Sequence, residues 1–302
     1  MHKNILVTGA TGMIGSKLTK KLSNLGYTVG SVSRNIVTSK SELPWCNFHV
    51  DYKSNDELIK AISESFAVIN LAGAPIATKR WTDEYKKTIM DSRIHTTRLI
   101  VEAINNSDSK PSVLINGSAI GYYGNTFDKE INEKSDNGTG FLADVTVKWE
   151  KEASRLNSSV RLVLARIGIV LDRNGGALAK MALPFKLYAG GRIGSGKQWM
   201  SWIHIDDIID MFLWALQGNI AGPVNFVAPN PVNMKDFAKS LGKALNRPSL
   251  IPVPEFAIKL ILGEAAAMVT NSNRIVPELA TQNGYNYKYI SLQSALFDIY
   301  RN

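Results

Sequence analysis

The chain has 302 residues, 45% of them apolar and 20% charged, which excludes a disordered or fibrous protein. Its 35 Lys and Arg against 26 Asp and Glu leave a formal net charge of +9, and a single cysteine, Cys46, excludes a disulfide framework and a multi-thiolate metal site. The basic residues are scattered along the chain, so an anionic small ligand explains the charge and no nucleic-acid partner is expected.

Asn4 to Thr8 is a short continuous apolar run, the signature of a buried parallel strand. Glycines follow at 9, 12 and 15. Ile14, Leu18, Leu22 and Leu25 then recur at helical spacing, with Gly26 placed to end the helix. Tyr27 to Ser33, Phe48 to Val50 and Ala67 to Leu71 read as further strands, with helical character over Asp56 to Glu64. Thr82 is positioned to cap a long helix reaching about Asn105, with Ile89, Thr96, Leu99, Ile100 and Ala103 facing inward. Val113 to Asn116 and Arg161 to Arg166 read as the fifth and sixth strands. This alternation predicts an α/β fold, a Rossmann-like doubly wound parallel sheet.

From about residue 175 glycine pairs and prolines punctuate the chain, and short helices replace the strand–helix rhythm. The expected division is a dinucleotide-binding domain over 1–174 and a smaller C-terminal substrate lobe over 175–302. The chain returns to the sheet at Pro223 to Val227. The most apolar late segment, Phe256 to Val269, is broken by Lys259 and Glu264 and is too short to span a bilayer. The N-terminus has no targeting segment, so no membrane partner and a cytoplasmic location are expected.

Thr8-Gly9-Ala10-Thr11-Gly12-Met13-Ile14-Gly15 lies between a strand and a helix, where glycines permit a tight turn and bring backbone N–H groups to a pyrophosphate. Gly9, Thr11, Gly12, Met13, Ile14 and Gly15 are therefore candidate cofactor contacts. An acidic residue at the end of the second strand would favour a free ribose hydroxyl. Ser33 and Arg34 stand there, a hydroxyl and a guanidinium suited to a 2′-phosphate, so the expected cofactor is NADP(H). Asp51 and Tyr52 are placed to meet the adenine. Leu71, Ala72 and Gly73 would pass the adenosine ribose and pyrophosphate, and Arg93 would reach the phosphates from the long helix.

These residues resemble the epimerase-family proteins of the extended, or atypical, short-chain dehydrogenase/reductase superfamily. The subgroup is the one labelled cell division inhibitor SulA-like, with a C-terminal domain of the DUF1731 type. The likeness runs through Gly9 to Gly15, Val32-Ser33-Arg34, Asn70 to Ile76, Arg80-Trp81-Thr82, Ser92-Arg93 and Ser118 to Gly124. It continues through Lys148-Trp149-Glu150, Arg166 to Leu171, Gly194 to Trp199, Ser201 to Asp207 and Val227 to Val232. The resemblance implies a Rossmann fold with NADP(H), Gly168 and Ile169 among the cofactor contacts, and no defined substrate.

In the wider superfamily a serine, a tyrosine and a lysine cooperate. The tyrosine exchanges a proton, the lysine lowers its pKa and holds the ribose, and the serine orients the substrate oxygen. Ser118 stands where that serine is expected. The Tyr-x-x-x-Lys segment reads Asp144-Val145-Thr146-Val147-Lys148, so the lysine is present and the tyrosine is not. Three readings follow: Asp144 substitutes, or Tyr122 or Tyr123 acts from the neighbouring loop, or the site binds NADPH without redox chemistry. A carboxylate with an ordinary pKa of about 3.9 has no proton to give at neutral pH. The expected proton carriers are thus Tyr122 or Tyr123 with Ser118, while Lys148 grips the nicotinamide ribose. Gln198, Trp199 and His204 are the expected substrate wall.

No cluster has metal-ligand spacing, so no metal is expected. The leading expectation is an NADP(H)-dependent oxidoreductase or sugar-epimerase-like enzyme acting on a small sugar or carbonyl compound, with a homodimer left open. The alternative is a non-catalytic NADPH-binding redox sensor or regulator, favoured by the missing tyrosine.

Overall fold

The computed structural model describes residues 3–301, the side chain of Ile261 apart. Strand β1 (Asn4–Thr8) is buried along all but its first residue, as a strand covered by helices on both faces requires. Helix α1 (Met13–Asn24) lays Leu18 and Leu22 against the sheet, and Gly26, at φ +83°, follows its end. Next come β2 (Thr28–Ser33), α2 (Ile36–Glu42), β3 (Phe48–Asp51), α3 (Asn55–Ser63), β4 (Ala67–Asn70), α4 (Asp83–Asn106) and β5 (Val113–Ala119). Thr82 caps α4, accepting the Tyr85 N–H at 3.2 Å. Helix α2 has no apolar period and only Ser39 buried; Asn35 caps it by accepting the Thr38 N–H at 3.1 Å.

A short 3-10 turn (Ile120–Tyr123) leaves β5. It leads to β6 (Glu130–Ile131), α5 (Phe141–Ala153), β7 (Arg161–Ile167), β8 (Ile169–Leu171), α6 (Gly176–Lys186), β9 (Trp199–Met200), β10 (Trp202–His204), α7 (Ile205–Gln217) and β11 (Gly222–Phe226). The chain closes with β12 (Val232–Asn233), α8 (Met234–Leu245), α9 (Glu255–Leu262), α10 (Ala267–Thr270), β13 (Arg274–Ile275), α11 (Glu278–Gln282) and α12 (Leu292–Arg301).

The main sheet has seven parallel strands in the order β11-β7-β5-β4-β1-β2-β3. The winding reverses between β1 and β4, and at such a point the loops leaving the carboxyl ends part to form a crevice. One face of the sheet packs Ile5, Val7 and Ile69 under α1 and α7. The other packs Leu6, Val68 and Leu114 under α3 and α4. The late residues divide their loyalty. Helix α7 joins the sheet core through Ile208 and Phe212, whereas α6, α8 and α12 build a separate core around Trp202, Phe237 and Leu296. Among the described residues no helix is long and apolar enough to cross a membrane.

Candidate functional site

The turn after β1 is shaped by what cannot fit there. Gly9 has φ +64°, and a methyl on it would lie 2.6 Å from the Leu71 carbonyl oxygen. A methyl on Gly15 would lie 2.2 Å from the carbonyl oxygen of Gly9. Both glycines therefore let the start of α1 close onto the strand ends. Gly12 stands at the N-cap with no side chain to satisfy the first turn. The N–H groups of Met13, Ile14 and Gly15 thus lack intrahelical acceptors, the arrangement that attracts an anion.

A cavity of about 630 Å³ opens over this turn. Gly9, Thr11 and Gly12 form its floor, Ser33 and Arg34 come from the end of β2, Tyr52 follows β3, and Leu71, Ala72 and Gly73 follow β4. Asn35 and Thr38 at the start of α2, and Ser92, His95 and Thr96 on α4, also line it; none of the five was expected among the cofactor contacts. The Ser33 hydroxyl is buried and has no hydrogen-bond partner among the described residues. Such a group costs about 1–3 kcal/mol unless something bonds it. Arg34 beside it is exposed and joins no ion pair or hydrogen bond among the described residues. A hydroxyl, a free guanidinium and an uncapped helix start fit a dinucleotide that carries an extra phosphate.

Arg93 lies behind this cavity rather than in it. Its guanidinium donates to the carbonyls of Ala74 (3.1 Å) and Ile89 (3.0 Å), and a methyl on Gly73 would meet its Cζ at 3.1 Å. Burial pulls its pKa down to about 10. With Ser92, which accepts the Ala74 N–H at 3.0 Å, it ties the loop after β4 to α4. Asp51 accepts the Lys53 N–H at 2.9 Å and so shapes the turn that presents Tyr52.

Under the end of β5 lies a second construction, made of side chains. The Ser118 hydroxyl donates to Glu150 Oε1 at 2.5 Å. Arg166 grips the same carboxylate with two hydrogen bonds, 2.9 Å from Nε and 2.8 Å from a terminal nitrogen. Its other terminal nitrogen donates to the Tyr123 hydroxyl at 2.8 Å, and that hydroxyl donates to Asn225 Oδ1 at 2.8 Å. Burial works against the charge on Arg166, yet Glu150 holds its pKa above the ordinary value. Burial pushes the Tyr123 phenol up to about 12. Tyr122 differs from its neighbour. Its ring sits 3.5 Å from the Arg166 guanidinium, it is half-buried, and its hydroxyl has no hydrogen-bond partner among the described residues. Lys148 and Asp144 are exposed on α5, and among the described residues the Lys148 amine meets only the Met90 sulfur, at 3.9 Å.

A smaller cavity, about 50 Å³, lies between the 3-10 turn and the late helices; Ile169, Gln198 and Trp199 line it. Gly168 packs tightly, since a methyl there would lie 2.7 Å from Val227 Cγ1. His204 lines neither cavity. It is buried at the start of α7, accepts the Asp206 N–H on Nδ1 at 3.1 Å and stacks 3.9 Å from the Tyr289 ring.

A family profile described as "NAD dependent epimerase/dehydratase family" matches residues 5–146, and one for a domain of unknown function (DUF1731) matches residues 253–299. The chain is 40% identical over 296 residues to the chloroplastic epimerase family protein SDR39U1 homolog of Arabidopsis thaliana, covering 97% of this chain and 85% of that one. The chain belongs to the epimerase family. It is also 37% identical over 297 residues to the epimerase family protein YfhF of Bacillus subtilis, covering 97% of this chain and 96% of that protein. The crystal structure of human epimerase family protein SDR39U1 (isoform2) with NADPH superposes with a TM-score of 0.90 at 34% identity, over 99% of each chain.

Within this epimerase-family fold, the sequence missed the cluster that fixes Ser118 through Glu150. Glu150, Arg166 and Asn225 stand 32, 48 and 107 positions further along the chain, beyond the reach of any local period. The one available signal was chemical. An arginine and a glutamate at inward-facing positions must find each other, because neither is buried alone.

Proposed function

We propose that this epimerase-family chain binds NADP(H) in the 630 Å³ cleft and is an NADP(H)-dependent oxidoreductase or epimerase-like enzyme acting on a small carbonyl or sugar compound. The observation that carries the reading is the Ser33 hydroxyl, buried and unpartnered beside the free guanidinium of Arg34. The human relative's complex with NADPH supports it. Gly9, Thr11 and Gly12 would hold the pyrophosphate with the first turn of α1, Ser33 and Arg34 the 2′-phosphate, and Tyr52 the adenine. The nicotinamide, when bound, supplies or accepts a hydride.

For the chain's own part, Glu150 fixes the Ser118 hydroxyl, and Arg166 fixes Glu150. Tyr123 accepts from Arg166 and gives its one proton to Asn225, so it has no proton left to offer a substrate oxygen. Tyr122 has the free hydroxyl, so it is the proton carrier we assign, with Lys148 on the ribose. A second reading, an NADPH-binding sensor without turnover, draws on the Ser118 proton being engaged by Glu150 and on the exposed Lys148, which joins no ion pair among the described residues.

Titration with NADPH and NADH tests the cofactor assignment. Wild type should prefer NADPH by about 1–3 kcal/mol, the range of charge-assisted hydrogen bonds, and Arg34→Ala should remove most of the difference. Equal affinities in the wild type would refute it.

A further inference from the structure

The small cavity has a chemistry unlike that of a sugar site. Met181, Met200, Met234 and Met268 line it with Ile120 and Ile169, so half of the chain's eight methionines converge on about 50 Å³. No charged residue borders it among the described residues. Its polar groups are uncharged, and most are already engaged: the Ser201 hydroxyl donates to the Asn273 carbonyl at 2.7 Å, the Trp199 indole to Asp128 at 3.1 Å and the Asn273 amide to the Gly124 carbonyl at 2.5 Å. The Gln198 NH₂ is engaged by the carbonyls of Ile193 (3.0 Å) and Val269 (3.3 Å), which leaves its carbonyl oxygen; the Asn271 side chain has no hydrogen-bond partner among the described residues. A hexose would bring several hydroxyls to walls that bond few of them, and each buried hydroxyl left unbonded is costly. Thioether side chains are unbranched and polarisable, and they repack around apolar shapes of different outline. The volume exceeds the ~10–15 Å³ that one water needs and suits a short alkyl or methyl-bearing edge, with methionine movement admitting more.

The cavity also lies next to the proposed chemistry. Ile120 follows Ser118 by two residues on leaving β5. Ala177, another lining residue, follows Gly175 and Gly176, which pack so closely on Met13 of α1 that a methyl on Gly175 would be 2.9 Å from the Met13 sulfur. One short segment therefore borders the glycine turn and the methionine cavity together.

We infer that the substrate of this site is an apolar carbonyl compound whose methyl or short alkyl edge enters the methionine cavity, and that a sugar ring does not enter it. The inference rests on the cleft being the cofactor site. The test is NMR of [methyl-¹³C]methionine-labelled protein, with and without NADPH, using acetophenone and UDP-glucose as probes. Acetophenone should move the methyl signals of Met181, Met200, Met234 and Met268 but not that of Met211 on α7, and UDP-glucose should leave all of them in place. Met181→Lys and Met268→Lys, on different helices, should each weaken acetophenone binding at least tenfold. Larger shifts with UDP-glucose than with acetophenone, shifts at Met211 equal to those of the four, or no shift with either probe would overturn the inference. Failure to bind NADPH, read by nicotinamide fluorescence in the same samples, would count against the proposed function, while the methyl shifts still decide the cavity.

Discussion

The cleft over the glycine turn and the cluster under Ser118 stand on neighbouring strand ends but are built from different materials. The cleft is made largely of main chain: Gly9 and Gly15 admit no side chain, and the open valences are the N–H groups of a helix start. The cluster is made of side chains drawn from β5, the 3-10 turn, α5, β7 and β11, and its valences are nearly all satisfied internally. The cleft is therefore open to a ligand. The cluster is closed around its own ion pair and holds the edge of the pocket in one geometry.

The comparison breaks most severely at Glu150. Glu150 and Arg166 are both shielded from water, so removing the carboxylate leaves a buried guanidinium without its counter-charge. Glu150→Ala should cost about 3–5 kcal/mol in chemical denaturation. A loss below 1 kcal/mol would mean that water enters the cluster and that it is not closed. The corresponding change in the cleft is Gly9→Ala, which places a methyl 2.6 Å from the Leu71 oxygen on a backbone at φ +64°. The left-handed conformation and the clash together should cost about 2–3 kcal/mol of stability. The same change should weaken NADPH at least tenfold, because the displaced backbone is the binding surface. Wild-type NADPH affinity in Gly9→Ala would show that the cleft does not depend on this turn.

The adjacent tyrosines sharpen the contrast, since the Tyr123 hydroxyl is bonded within the closed cluster, while Tyr122 lays its ring on Arg166 and leaves its hydroxyl unbonded among the described residues. Tyr123→Phe leaves Asn225 Oδ1 and one Arg166 nitrogen unbonded and should cost about 1–3 kcal/mol. Tyr122→Phe removes a hydroxyl with no partner and should change stability by less than about 0.5 kcal/mol. If turnover is found, Tyr122→Phe should lower it at least tenfold, within the usual range for a lost proton carrier. A large stability loss in Tyr122→Phe would reverse the two roles.

The difference in materials also explains what the sequence disclosed. A main-chain site leaves its mark in glycine spacing, and Gly9, Gly12 and Gly15 announced the turn, as Ser33 and Arg34 announced the residues at the end of β2. A side-chain cluster leaves no period. Arg166 and Glu150 are 16 residues apart, Tyr123 and Asn225 are 102 apart, and nothing local links them. Helix α2 was invisible for a related reason, since it buries almost no apolar face. His204 drew notice through Trp202-Ile203-His204, but its Nδ1 caps α7, a duty that histidine rarely has. The acidic first turn, Asp206 and Asp207, was the readable signal of that helix start.

The smallest effect concerns Glu133, at the border between the closed cluster and the late helices. It is buried, accepts the N–H groups of Asn225 at 3.0 Å and Leu279 at 3.3 Å, and lies near Glu278. Burial raises its pKa above the ordinary 4.5 despite those two hydrogen bonds. A carboxyl with a raised folded pKa binds more protons in the folded chain than in the unfolded one. Its contribution to stability is thus fully present below pH 4.5 and is lost as pH rises through the folded value. Glu133→Gln, which keeps the shape and one acceptor, cannot titrate. Relative to that variant, wild type should gain stability as pH falls from 7 towards 4, read as diverging urea midpoints. Parallel midpoints across this range would mean that the two backbone N–H groups fully offset burial, and that the border of the cluster is as well satisfied as its centre.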